Sequence, residues 1–154
     1  MSDVQIILAR LSSALEAEAL LPAVFRQLGD DASIDHALSQ RDHPAFEQPW
    51  LTAFAAVESV ASLNQLSPAQ RLVVDRIREV AYKQAFRATS HPDIAAYVSD
   101  DFDLIARAIV AGHDTPWLAS LLSAYAHGLF PVGNPLVPAI ASLSIVALAL
   151  PTHP

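Results

Sequence analysis

The sequence predicts an all-α fold, a single bundle of six to seven helices, and three observations carry that expectation. Apolar residues recur at helical spacing through most of the chain. Helix-start signatures, a small polar residue just ahead of a proline, stand at Ser67-Pro68, at Ser90 with Pro92, and at Thr115-Pro116. The 154 residues, 53% hydrophobic and only 16% charged, suit one domain with one buried core.

The elements follow from residue types in order. Ser2 and Gln5 form a capping box, and Ile7, Leu8, Leu11, Leu15 and Ala19 extend the first helix to about Leu20. Pro22 ends or kinks it, a continuation through Phe25 and Leu28 stops at Gly29, and Asp30-Asp31 marks a loop. Ser33 caps a short helix running to Arg41, where Asp42-His43-Pro44 terminates it. Pro49 opens a helix over 49–63 with Trp50, Leu51, Phe54, Val57 and Ala61 as its stripe.

The boundary at Ser67-Pro68-Ala69-Gln70 starts a long amphipathic helix with Val73, Ile77, Val80, Ala81 and Gln84 on one face. Glu79 with Lys83, and Arg71 with Asp75, form spaced pairs on the other. Ser99 or Asp100 then opens a helix with Phe102, Ile105, Ala106, Ile109 and Val110 inward and Gly112 as its stop. Thr115-Pro116 opens another, lined by Trp117, Leu118, Leu121, Leu122 and Tyr125 and closed by Gly128. Residues 1–128 are thus read as the bundle and 129–154 as an apolar, proline-containing tail packed on it. The run Ala139–Leu150 falls short of the roughly 20 apolar residues a membrane helix needs, so no membrane span is expected; periodicity leaves a buried helix and a strand both open, with a packed helix favoured over an anchor.

A net charge of −7 disfavours nucleic acid and anionic membrane and favours a protein partner with a basic surface. With no cysteine there are no disulfides and no thiolate chemistry. Asp3, Arg10, Glu16 and Glu18 interrupt any secretory signal, which makes the cytoplasm the expected location. Charge is uneven: nine acids against three bases lie before residue 68, two against five over 68–90, and five against one over 91–114. No Asp, Glu, Lys or Arg follows Asp114.

The densest acidic group is Ser99-Asp100-Asp101-Phe102-Asp103. Carboxylates so spaced suit a helix N-terminus, a basic partner or a magnesium ion, in that order of expectation. The six histidines, at 36, 43, 91, 113, 127 and 153, show no metal-binding helical spacing and no metalloprotease motif. His113 beside Asp114 is the best acid/base pair. There is no nucleophile elbow, and four glycines supply no phosphate-cradling loop. No catalytic residue, metal or cofactor is therefore assigned.

At Tyr125-Ala126-His127-Gly128-Leu129-Phe130-Pro131-Val132-Gly133 the chain resembles the closing Tyr-x-x-Gly-x-Phe-Pro-x-Gly stretch of small bacterial immunity-type proteins encoded near polymorphic toxins. The family's usual Cys-Gly-Trp continuation is replaced here by Val132-Gly133-Asn134 and an alanine-rich tail. The resemblance implies an inhibitor that neutralises a cognate toxin by binding it.

Three functional readings follow. The first is a non-enzymatic inhibitor of this type, binding through surface carboxylates Asp30, Asp31, Asp35, Asp100, Asp101 and Asp103. The second is a small-ligand-binding protein or enzyme whose pocket is lined by Trp50, Trp117, Tyr125 and Phe130, with His113, Asp114 and His127 as its polar groups. The third is a self-associating module, a homodimer through the C-terminal region.

Overall fold

The computed structural model describes residues 2–61, 66–133, 136 and 138–154. Eight helices and no strand are present among them, so the all-α expectation holds, with one or two more helices than expected. The expected helix end at 62–63 lies outside the described residues.

Helix α1 (Asp3–Glu16) carries the Ser2/Gln5 capping box and buries Ile7, Leu8, Leu11, Ala14 and Leu15. It stops short of Leu20, and Glu18 then takes φ +56° in the turn. Pro22 stands in the first turn of α2 (Leu21–Leu28). It starts a helix there, because the first turn has no use for its missing N–H. Gly29, at φ +77°, closes α2.

Helix α3 (Asp31–Asp42) is capped by Asp30, whose carboxylate accepts the Ser33 N–H at 2.9 Å. The acidic pair expected in a loop is instead the helix start, and Ser33 supplies the capped amide rather than the cap. Helix α4 (Pro44–Ala61) begins at Pro44, five residues earlier than expected, and carries Pro49 within it. His43 closes one helix and opens the next, its carbonyl accepting from the Phe46 and Glu47 amides.

Helix α5 (Pro68–Thr89) starts on the expected Ser67/Gln70 box. Helix α6 (Pro92–Ala111) runs unbroken through Ser99 and Asp100 to Gly112. The cluster 100–103 therefore lies in mid-helix and caps nothing. Helix α7 (Pro116–Ala126) starts on Thr115, and α8 (Leu143–Leu148) on Ser142.

Helix α6 is the axis of the molecule. Eleven of its residues are buried, and it touches α1, α3, α4, α5 and α7, most extensively α5. Helix α8 closes one side against α7 and α1. Its place is set by Asp114, whose carboxylate accepts the Leu143 N–H at 2.8 Å, and by Arg10 Nη1, which donates to the Leu148 carbonyl at 3.0 Å. From the tail, Leu136, Leu143, Ala147 and Leu150 enter the core.

Two glycines allow a direct comparison of backbone strain. Gly112 (φ +69°) would meet nothing with an added Cβ, whereas at Gly128 (φ +73°) that atom would stand 3.2 Å from the Ala23 Cβ. Gly112→Ala is expected to cost about 1 to 2 kcal/mol, the left-handed penalty alone, and Gly128→Ala distinctly more. Urea unfolding checks this, and equal losses would show that the α2–α7 approach is not tight.

Candidate functional site

Two opposite charges stand where the helical pattern asks for apolar residues. On α3 the buried positions are Ile34, Ala37 and Arg41, and on α6 Asp101 falls between Val98 and Ile105 on an inward face. Arg41 is 4% exposed and Asp101 0%. A buried charge is tolerable only when paired and fully hydrogen-bonded, and the fold supplies both.

Arg41 meets Asp101 as a bidentate fork, Nη2 to Oδ1 at 2.7 Å and Nη1 to Oδ2 at 2.8 Å. Trp50 Nε1, from α4, donates to Oδ1 at 2.9 Å, and the Tyr125 hydroxyl, from α7, donates to Oδ2 at 2.6 Å. Each carboxylate oxygen thus accepts two hydrogen bonds. Arg41 Nη1 also reaches the Pro131 carbonyl at 3.4 Å. Its guanidinium carbon lies 4.2, 4.8 and 5.2 Å from the ring centroids of Phe46, Tyr97 and Phe130, within cation–π range.

Burial works against the Arg41 charge, but the facing Asp101 carboxylate more than offsets it and holds the guanidinium above its ordinary value. Burial and the same carboxylate push the Tyr125 hydroxyl well above its ordinary value, so it stays a donor. The nine-residue stretch quoted from the sequence acquires a physical meaning here. Tyr125 binds Asp101, Gly128 permits the close approach to Ala23, Phe130 covers the guanidinium and Pro131 accepts from it.

Above the pair lies a cleft of about 160 Å³ lined by Arg41, Asp42, Phe46, Glu47, Trp50, Leu51, Tyr97 and Asp100. The Tyr97 hydroxyl donates to Asp42 Oδ1. That hydrogen bond, with burial and the Asp42 charge, pushes the Tyr97 hydroxyl up to about 12. Burial raises the Asp100 carboxyl, against the pull of Arg78 and Arg41.

The six expected surface carboxylates part company. Asp30, Asp31 and Asp35 are exposed on α3 and Asp100 on α6. Asp30 is held below the usual carboxylate range by the Ser33 amide and hydroxyl. Asp101, expected on the surface, is the buried centre of the network. Asp103 is mostly buried, between Arg78 at 3.7 Å and Arg107 at 3.8 Å. On a helix, residues 100, 101 and 103 point in three directions about 100° per residue apart, so neighbours in sequence face solvent, core and α5.

The expected aromatic pocket does not assemble as one cavity. Trp50 borders the 160 Å³ cleft, and Tyr125 is sealed in the core. Trp117 packs on Phe46 with ring centroids 5.8 Å apart. His127 and Phe130 line a separate, larger groove of about 680 Å³ together with His36. His113 and Asp114 lie at the start of α7, where Asp114 serves the α8 amides. No group of three or more metal-ligating side chains occurs among the described residues, and no described helix is long and apolar enough to cross a membrane. Arg41, Asp42, Glu47 and Tyr97 were not singled out from sequence. The available signal was Arg41 and Asp101 occupying apolar positions of two helices.

Several charges elsewhere are paired internally. Glu16 pairs with Arg76, Glu18 with Arg87, Glu58 with Arg107, and Glu79 with Lys83 and Arg76. By contrast no ion pair among the described residues uses Asp31, Asp35, Asp42, Glu47 or Asp100. Fold and site together define an all-helical domain with a buried ion pair beneath a carboxylate-rimmed cleft. The family model described as Immunity protein PIM1 matches residues 10–132, and the chain belongs to that family. The match takes in the whole buried network and ends one residue past Pro131. No curated protein matches the chain.

Two measurements test the site. Asp101→Asn leaves Arg41 a buried, unmatched cation and is expected to cost about 3 to 5 kcal/mol. Tyr125→Phe removes one charge-assisted hydrogen bond and should cost about 1.5 to 3 kcal/mol. Urea unfolding reads both, and a smaller loss for Asp101→Asn than for Tyr125→Phe contradicts the network. For Tyr97, the ultraviolet difference between wild type and Tyr97→Phe should titrate near pH 12, and Asp42→Asn should bring that midpoint down. Because the folded state holds this proton more tightly than the unfolded chain, stability should fall as pH rises from about 10 to about 12.

Proposed function

We propose that this chain is an inhibitor that neutralises a cognate toxin in the bacterial cytoplasm by binding a basic surface of it through an acidic face. The observation that carries the reading is the segregation of charge. Four of the five bases of α5, Arg76, Arg78, Lys83 and Arg87, pair with Glu16, Glu18, Glu79 or Asp103, while Asp31, Asp35, Asp42, Glu47 and Asp100 take part in no ion pair among the described residues.

Asp31, Asp35 and Asp42 fall within about 40° of one another around α3, given 100° per residue, and span about 16 Å along it. The stripe runs from the Asp30 cap to the cleft, where Glu47 and Asp100 continue it. The face so defined keeps Asp30, Asp31, Asp35 and Asp100 from the sequence-based set, adds Asp42 and Glu47, and omits Asp101 and Asp103. Unpaired carboxylates along one line steer a basic partner into contact and fix its register.

Growth protection is the direct test, with this chain co-expressed with the toxin encoded beside its gene. Wild type should restore growth. Asp31→Lys with Asp35→Lys should slow association and weaken the complex about tenfold or more, with the loss shrinking at high salt. Asp75→Lys on α5 should leave binding unchanged. Protection that survives the α3 reversal at full affinity defeats the acidic-face mechanism; absence of protection by wild type defeats the toxin pairing itself.

A further inference from the structure

Most clefts that hold a metabolite measure roughly 300 to 1,000 Å³, and the cleft over the buried pair, at about 160 Å³, is below that range. Its size is that of one side chain. Its walls are equally specific. Trp50 and Tyr97 offer ring surface, the exposed Leu51 an apolar shelf, and Asp42, Glu47 and Asp100 stand as carboxylates at the rim.

Among the described residues the one cation lining the cleft, Arg41, is charge-matched by Asp101 from below and covered by Phe46, Tyr97 and Phe130. The free charge facing the opening is therefore negative. Of the three rim carboxylates, Asp42 accepts a hydrogen bond from Tyr97, and none is engaged in an ion pair among the described residues. Aromatic faces attract a cation that has shed part of its water, and flanking carboxylates complete its hydrogen bonding. An alkyl stem is accommodated on the same apolar walls.

We propose that this cleft is the socket for a single lysine or arginine side chain of the partner protein, inserted between Trp50 and Tyr97 and held by Asp42, Glu47 and Asp100. This rests on the toxin-binding reading and sharpens it, since it fixes where on the acidic face a central cationic anchor enters. The stripe along α3 supplies long-range attraction, and the socket supplies the short-range fit.

The test uses the full chain and defined probes: capped Gly-Arg-Gly and Gly-Lys-Gly, with capped Gly-citrulline-Gly as the uncharged counterpart of arginine. Two-dimensional proton–nitrogen spectra follow the Trp50 indole N–H, with Trp117 as the internal control. The expected result is a saturable, millimolar shift of Trp50 with the two cationic peptides and none with citrulline. Glu47→Gln with Asp100→Asn should weaken that binding about two- to fivefold per charge removed while leaving the melting temperature within about 2 °C, as surface substitutions do. A response to citrulline equal to that of arginine, equal shifts at Trp117 and Trp50, or no shift at Trp50 overturns the socket. Growth protection by wild type reports separately on toxin binding, so a failed socket with intact protection leaves the inhibitor reading standing. The reverse result, a working socket without protection, removes the toxin as its occupant.

Discussion

Arg41 and Asp101 are placed at core positions of two helices separated by sixty residues, and neither can be buried without the other. That requirement organises the middle of the molecule. Asp101 can accept four hydrogen bonds, and the two not supplied by Arg41 come from Trp50 on α4 and Tyr125 on α7. Four helices and the segment after Gly128 are thereby held at one point. The apolar core gives most of the folding free energy, but it tolerates sliding and repacking. A bidentate fork with two further directional donors does not. Every member of this network lies within the residues that the family model matches.

The same pair shapes the surface above it. Because Asp101 neutralises Arg41 internally, the cleft above presents only the charge of its rim. Had Arg41 been exposed, it would have matched Asp42 or Asp100 and closed the acidic face. On α5, Arg76, Arg78 and Arg87 pair with Glu16, Asp103 and Glu18. The result is a molecule of net charge −7 in which α3 and the cleft rim carry a run of carboxylates outside any ion pair among the described residues. On the proposed reading, an inhibitor that must find a basic partner and then hold it gains from that arrangement in both encounter and register.

Three helix starts were readable because their capping chemistry is local. Ser2, Ser67 and Thr115 cap as expected, since each bonds an amide three residues on and needs nothing distant. The misreadings at Asp30, at Pro49 and at Ser99 share a cause. Each residue type is compatible with two places, cap or loop for aspartate, helix start or interior for proline, cap or interior for serine, and packing decided among them. Pro49 lies inside a helix already begun at Pro44, and Ser99 is buried against α5, its hydroxyl donating to the Arg78 carbonyl at 3.2 Å.

By itself the sequence determined the helical class, the acidic balance, the helix starts at Ser2, Ser67 and Thr115, and the family-like run from Tyr125 to Pro131, because periodicity, composition and capping are properties of short stretches of chain. Tertiary structure decided what those residues are for. Asp101 looked like one of three equivalent surface acids, and Arg41 like the end of a short helix, since burial depends on which neighbours sixty residues away arrive at the same point. Helical rotation sends Asp100, Asp101 and Asp103 to solvent, core and α5 in turn. Only once Asp101 is committed to the core can the carboxylates left unmatched, and with them the proposed binding face, be identified.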